Sequence, residues 1–334
     1  MSSIIQTVES LEACIGKRPA AADLKVIDHM DGWVGRWLAA SPLAFLAFSD
    51  PSSIKLTLAG GLPGFASRID DRRLALARGV LDHPQQALSG RWVALLFLIP
   101  GLGETLRING VVALNKEDRI VISVQECYAH CAKALLRSDF WNPVEIGVPL
   151  TPTNFVARSR FMALATADAS LHTDISPKGD QAGLLAQAHN DTLTFPDRPG
   201  NRRADSFRNI LERPDVSAAL LVPGSTRIMI VQAEAQLTTD AMLQKCFAVQ
   251  DRVPKLVTKL APSSIMHYKS AALMRAMPWC YPYSLPGIDP SEIFSAHIKL
   301  NKTAGLQASL LKGIATLPSL MRKGLALDYK RNMY

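Results

Sequence analysis

The sequence predicts a mainly β protein made of two small antiparallel barrels in tandem, with helices at the periphery. Three observations carry that expectation. Ordered blocks of sequence recur along the chain, short β-prone runs alternate with tight turns, and one half alone holds a basic turn running into a helix.

The elements follow in chain order. Residues 1–43 read as a helical segment: in Lys25 to Pro42, Val26, Ile27, Met30, Trp33, Val34 and Trp37 cluster on one side of a 3.6-residue period. A first barrel is expected over 44–148 and a second over 149–283. "FLAFSDPSSIKLTLAGGLPGF" (from Phe45) matches "ALATADASLHTDISPKGDQAGL" (from Ala163), setting Asp50 opposite Asp168 and Gly61 opposite Gly179, an offset of 118. "LLFLIPGLGETLRINGVVAL" (from Leu95) matches "AALLVPGSTRIMIVQAEAQL" (from Ala218) at 123, Pro-Gly upon Pro-Gly. "HCAKALLRSDFW" (from His130) matches "HYKSAALMRAMPW" (from His267), Trp141 upon Trp279, at 138. Constant order with growing spacing is what a duplicated domain with loop insertions produces. Within the second copy, Phe161 to Ala167, Leu171 to Ser176, Asp191 to Phe195, Ser217 to Val222 and Arg227 to Leu237 read as strands, and one helix separates the third from the fourth.

Composition narrows the function classes. The chain is 48% hydrophobic and 20% charged, an ordinary globular balance. Its net charge is +8, and seven Lys or Arg against Asp328 alone fall between His297 and Tyr334, so the body is nearly neutral. No basic stripe interleaved with aromatics marks a nucleic-acid surface. Five cysteines, with no secretory pattern at the start, fit a reducing cytoplasm, and Cys127 and Cys131 have no second pair with which to hold a metal. The longest apolar runs are too short to span a bilayer.

The segment "FPDRPGNRRADSFRNILERPDV" (from Phe195) concentrates the chemistry. Asp197, Pro199, Gly200 and Asn201 favour a turn, and Phe207, Ile210 and Leu211 recur at helical spacing. A turn carrying Arg198, Arg202, Arg203 and Arg208 into a helix is suited to an anion, through guanidinium forks and free main-chain N–H groups. A solvated basic loop is the alternative reading.

With "LATADAS", "DISPKGD", the basic turn, "IPGLGETLRINGVVAL" and "HCAKALLRSDFW" in view, the chain resembles the FMN-binding split barrels related to pyridoxamine 5′-phosphate oxidase, over about Leu24 to Trp279. The resemblance implies two split β-barrels forming an intrachain pseudo-dimer, FMN at their interface, and phosphate contacts from Arg198, Asn201, Arg202 and Arg203. Ser176 and Lys178 would approach the flavin, with Lys178 as a turn residue in the alternative. Thr105, Arg107, Lys133, Arg137 and Trp141 are further candidate contacts from the first copy. His130 and Lys178 are the catalytic candidates, although His130 reads first as a hydrogen-bonded core histidine, with a general acid or substrate contact as the other readings.

The first copy lacks the basic turn and has "ARGVLDHPQQ" in its place, so one complete and one decayed site are expected. The implied function is an FMN-dependent oxidoreductase acting on a small molecule, with NAD(P)H or oxygen as electron partner. The alternative is a non-catalytic flavin, deazaflavin or haem carrier, with His130, His172 and His267 as axial candidates. The tail, residues 284–334, is basic and amphipathic. Over 305–334 it fits either docking on the barrels or a membrane surface, and pairing of pseudo-dimers into a higher oligomer stays open.

Overall fold

The computed structural model describes residues 3–19, 22–143, 147–200, 203–280, 287–302, 324, 327, 329 and 333–334. The chain opens with β1 (Ile4–Ile5), α1 (Val8–Ile15) and α2 (Gly32–Ala40). The first sheet then contains β2 (Leu43–Asp50), β3 (Ser53–Gly60), β4 (Ala66–Arg68), β5 (Arg73–Ala77), β6 (Trp92–Leu98), β7 (Thr105–Lys116) and β8 (Arg119–His130), followed by α3 (Lys133–Arg137). After α4 (Pro152–Arg158), the second contains β9 (Phe161–Ala167), β10 (Thr173–Gly179), β11 (Gln187–His189) and β12 (Thr192–Pro196). It continues through α5 (Asp205–Glu212), β13 (Asp215–Leu221), β14 (Arg227–Thr238), α6 (Ala241–Cys246), β15 (Val257–Lys269) and α7 (Ala271–Ala276), with α8 (Pro290–Leu300) beyond.

Both sheets are antiparallel throughout, and their strand orders are the same: β3-β2-β6-β7-β8-β5-β4 in the first and β10-β9-β13-β14-β15-β12-β11 in the second, with β1 added at β14. The expected mainly β architecture of two like units is therefore present. Register ties the copies residue to residue. Leu43 faces Leu98 in the first and Phe161 faces Leu221 in the second, which reproduces the sequence offsets of 118 and 123.

Two of the matches move by one position. Gly60, opposite Leu43, and Gly179, opposite Phe161, close the equivalent strands, so the counterpart of Gly179 is Gly60 rather than Gly61. Thr105 faces His130 while Ile228 faces Tyr268, so His130 corresponds to Tyr268 and His267 lies one residue earlier.

The strands of β2, β6, β9 and β13 read as unbroken apolar runs because both faces are buried. In β2, Ala44, Leu46 and Phe48 enter the core of the first barrel, while Leu43, Phe45 and Ala47 enter a second cluster shared by both sheets. From the other side Phe161, Ala163, Ala165, Ala219 and Leu221 meet them, leaving Met162, Leu164, Ala218 and Leu220 for the second barrel's own core. Phe45 and Phe161 stack across this seam with ring centroids 5.6 Å apart. Such shared burial makes the two sheets one packed body. Hydrogen bonds cross it too: the Ser49 and Thr173 hydroxyls lie 2.7 Å apart, and Arg213 donates to the Asp50 carbonyl at 2.8 Å.

Two pseudo-equivalent glycines set how closely the barrels approach. A Cβ on Gly60 would lie 2.3 Å from the Ala272 carbonyl oxygen, and one on Gly179 would lie 1.9 Å from that of Ala134. Beside them, Arg275 Nε donates to the Gly60 carbonyl and Arg137 Nε to the Gly179 carbonyl, each at 3.0 Å. The terminal helix of each copy thus clamps the hairpin of the other.

The N-terminal segment departs from the predicted helix. The helix starts only at Gly32, because the Asp31 side chain caps it by accepting from Val34 N at 2.9 Å. Ile27 instead makes a two-bond bridge with Cys127. Val34, Trp37 and Leu38 cover the first barrel's core, whereas Leu11 of α1 joins the second. The tail begins by docking: Ile293 and Phe294 of α8 pack into the first core. Most of 305–334 lies outside the described residues. No helix among the described residues is long and apolar enough to cross a membrane.

Candidate cofactor-binding site

A cavity of ≈ 590 Å³ opens where the two barrels meet. The first barrel supplies His130 and Cys131 from the end of β8 and its exit, and Lys133, Ala134 and Arg137 from α3. The second supplies Ser176 to Asp180 of β10 and its exit, the turn from Pro196 to Gly200, and Arg203 to Phe207 at the start of α5. Leu185, Phe195, residues 252–255, Ile15 of α1 and Tyr334 complete the lining. Neither barrel alone encloses this space.

Positive charge dominates the walls. Lys178 is a strand residue, since β10 runs on to Gly179, and not the end of a strand or a turn. Its Nζ lies 3.3 Å from Ser206 Oγ and 4.5 Å from the Phe207 ring centroid. Burial lowers its pKa, with Arg137 contributing in the same direction and Asp197 opposing. Asp197 is pushed up by burial despite the cations Lys178, Arg137 and Arg198 around it.

Arg198 Nε donates to Asp180 Oδ2 at 2.5 Å, while its buried Nη2 has no hydrogen-bond partner among the described residues. A buried guanidinium nitrogen without an acceptor is costly in a folded protein and suits an anion brought from outside.

The other predicted residues fall into distinct places. Ser176, Lys133 and Arg137 line the cavity. Arg203 lines it too, but its Nε bonds Asp205 Oδ2 at 2.8 Å and its Nη1 bonds the Ala22 carbonyl at 3.1 Å. Asn201 and Arg202 lie outside the described residues. Thr105 and Arg107 are buried beneath the site and do not line it. Trp141 packs in the seam, donating Nε1 to the Leu102 carbonyl at 2.6 Å, as Trp279 does to Phe140 at 2.9 Å.

At the cavity floor sits an ionic network that no periodicity in the sequence marks. Asp205, the first residue of α5, accepts from Arg18 Nη1 at 3.0 Å, Arg107 Nη2 at 2.7 Å and Arg203 Nε at 2.8 Å. Arg107 also meets Asp174 at 3.1 Å. Burial would raise the Asp205 pKa, but Arg107 and Arg203 outweigh it and hold the group at about 2. The Tyr128 ring centroid lies 4.6 Å from the Arg107 guanidinium and 4.5 Å from that of Arg203. Strands of the first barrel and a helix of the second are joined here.

His130 lies above this network. Burial drives its pKa well below the ordinary value, and Arg107, Lys25, Arg203 and Lys178 add to the shift. The imidazole is therefore neutral at physiological pH, and its buried Nε2 has no partner among the described residues. A neutral imidazole of this kind can exchange a hydrogen bond with a ligand or ligate a metal centre. His172, by contrast, is exposed and bonded to Asp168, and His267 contacts Arg227.

At the pseudo-equivalent end a carboxylate of the chain meets the terminal strand and helix of the second copy. Asp82, within the segment that replaces the basic turn, accepts from Ser270 Oγ at 2.6 Å, Ala272 N at 2.7 Å and Tyr268 Oη at 3.3 Å. A built-in carboxylate thus takes the donors that an external anion would need.

No family model and no curated protein matches the chain. Solved structures do. It is similar to HupZ of Group A Streptococcus at 16% identity, over 37% of this chain and 98% of that one, with a TM-score of 0.31. It is similar to an F420 reductase at 16% identity, over 36% and 98%, with a TM-score of 0.28. A putative pyridoxamine 5′-phosphate oxidase from Lactobacillus delbrueckii shares 21% identity over 35% and 93%, with a TM-score of 0.28. Each of these whole chains corresponds to about a third of this one.

Proposed function

We propose that this chain binds FMN in the cavity between its barrels and uses it for two-electron oxidation or reduction of a small molecule, with NAD(P)H or oxygen as electron partner. The observation that carries this reading is the unpartnered Arg198 Nη2 in a cationic cavity lined by both barrels. Arg198, with Lys133 and Arg137 opposite, would hold the phosphate, and Asn201 and Arg202 of the same turn are expected to join them. Ser176 and Lys178 would lie along the flavin, where a lysine favours the anionic reduced ring. Bound FMN would supply the redox chemistry; the protein's part is to orient substrate, exclude water and offer His130 as a neutral hydrogen-bond partner. On this reading the two barrels are a duplicated unit, and Asp82 marks the site that was lost.

A flavin fluorescence titration tests the phosphate contact. FMN should bind at least about a hundredfold tighter than riboflavin, since a charge-assisted bidentate contact and its neighbours are worth about 3 kcal/mol. Arg198→Ala should erode that preference about tenfold or more while leaving riboflavin affinity unchanged. Equal affinity for the two ligands would overturn the assignment.

A second reading, a haem or deazaflavin carrier without turnover, is favoured by one observation: His130 is neutral and its buried Nε2 is unpartnered. Absorption of the purified protein separates the readings. A Soret band that is lost in His130→Ala would establish haem, and a flavin spectrum reduced by NAD(P)H would establish the oxidoreductase.

A further inference from the structure

Cys131 is the one cysteine that lines the cavity among the described residues. It is half-buried, whereas Cys246 and Cys280 are exposed and Cys127 lies in the first barrel's core. Cys14 stands outside the lining, its Sγ donating to the Lys255 carbonyl at 3.2 Å.

The Cys131 thiol has cationic neighbours. Burial lowers the pKa of Lys25, to about 8, and that of Arg137; Cys131 opposes the shift in both, joined at Arg137 by Asp180. The thiol therefore lies within electrostatic reach of both groups. Arg137 in turn donates to the Pro199 carbonyl at 3.0 Å, next to Arg198, and Lys133 and Lys178 line the same space.

Two buried nitrogens mark that space as one built for a ligand. Arg198 Nη2 and His130 Nε2 have no hydrogen-bond partner among the described residues. The Arg198 side chain is 7% exposed and His130 is 8% exposed, and both line the cavity with Cys131. The pseudo-equivalent end has no such thiol. Since Thr105 faces His130 and Ile228 faces Tyr268, Cys131 corresponds to Lys269, an exposed residue.

We propose that Cys131 is a modification site: it forms a mixed disulfide with a small anionic disulfide drawn in by these cations, and the attached half then blocks the cavity. The inference rests on the anion-binding reading of the cavity and goes beyond it, assigning a reversible covalent reaction to a residue that reading leaves idle. In the exchange the thiol gives up its proton to solvent and its sulfur attacks one sulfur of the disulfide. The old S–S bond breaks, a new one forms to Cys131, and the other half leaves as a thiolate. Cys131 is oxidised and the leaving half reduced, so no further oxidant is needed. Selectivity comes from charge. A cleft lined by one sign of charge raises the local concentration of the opposite ion, and with it the encounter rate, by about 10- to 1,000-fold. A neutral disulfide of similar size gains nothing from it.

The wild-type chain carries its own reference thiols in Cys246 and Cys280. It is treated at low salt with dithiobis(nitrobenzoate), a dianion, or with neutral dithiodipyridine, and modification of each cysteine is timed by peptide mass spectrometry. The anionic-to-neutral rate ratio should be at least about tenfold higher at Cys131 than at either exposed cysteine. It should fall toward theirs at about 1 M salt, where the screening length shortens to about 3 Å, and should drop at least about threefold in Arg198→Ala. FMN affinity should decrease at least about tenfold after modification and return with dithiothreitol, while Cys131→Ser, treated alike, keeps its affinity.

An equal ratio at the three cysteines, or no reaction at Cys131, overturns the site. Selective modification with FMN affinity unchanged overturns the blocking. Selective modification with FMN bound by neither form supports the site and overturns the flavin reading instead. Circular dichroism confirms that Arg198→Ala is folded, and the salt series, which needs no variant, keeps the test decisive should it not fold.

Discussion

Asp205→Ala is expected to lower the unfolding free energy by about 3–5 kcal/mol, the usual cost of removing one member of a buried ionic network. Arg107 is almost wholly buried, and its nearest acceptor after Asp205 is Asp174 at 3.1 Å, already shared with Asn109 and Asn209. Without Asp205, Arg107 and Arg203 would both remain against the Tyr128 ring with one less neutralising charge. The loss falls at the junction of the barrels, so urea unfolding should show it as an earlier midpoint. The pH dependence supplies the sign. Against the opposing effect of burial, Arg107 and Arg203 depress the folded pKa of Asp205 to about 2 from the ordinary 3.8. Its stabilisation is fully present above about pH 4 and is lost as the pH falls through 2. Wild type should therefore lose stability more steeply than Asp205→Ala between those limits. A midpoint change equivalent to less than about 1 kcal/mol would contradict the network's role.

Gly179→Ala should disrupt the protein more than its single added methyl group suggests. The new Cβ would meet the Ala134 carbonyl oxygen at 1.9 Å and its carbon at 2.6 Å. Both are backbone atoms, so no side chain can swing aside. Relief requires β10 to move away from α3, which breaks the Arg137 bond to the Gly179 carbonyl and opens the cavity between them. A loss of about 3 kcal/mol or more is expected, at or beyond the upper end for overpacking, together with loss of FMN binding. Gly60→Ala should behave similarly against Ala272. Gly35→Ala is the contrast: it lies in α2 with nothing within 4 Å of the added Cβ. That change should stabilise by about 0.5–1 kcal/mol. Thermal unfolding of the three variants checks the ranking, and equal melting temperatures would contradict the close approach of the barrels.

The repeat was legible because its strands are buried on both faces. "LAFLAF" and "FMALATA" stand out as apolar runs, and the order of the matched blocks survives loop insertions that widen their spacing. Pro-Gly at both hairpins added an anchor, since Gly101 and Gly224 take positive φ of 79° and 90°. Register was less legible. Adjacent glycines at 60 and 61, and histidines at 130 and 267 in blocks of unequal length, allow a one-residue slip that only strand pairing removes.

The cations of the site were visible as a cluster in one turn, but their partners were not. Asp180, Asp205, Arg252 and Tyr334 come from four separate segments and share no spacing. Arg107 shows the same limit. Alternation along β7 established which face it occupies but not that an acid from the other barrel's helix would bond it there.

On the proposed function, the two barrels build one ligand site and Asp82 closes its counterpart. Titrating purified protein of known concentration with FMN to saturation, and counting bound flavin from its absorbance, tests this most directly. One FMN per chain is expected. Two per chain would mean that the Asp82 end also accepts ligand, and none at any concentration would mean that the cationic cavity is not a flavin site; either result contradicts it.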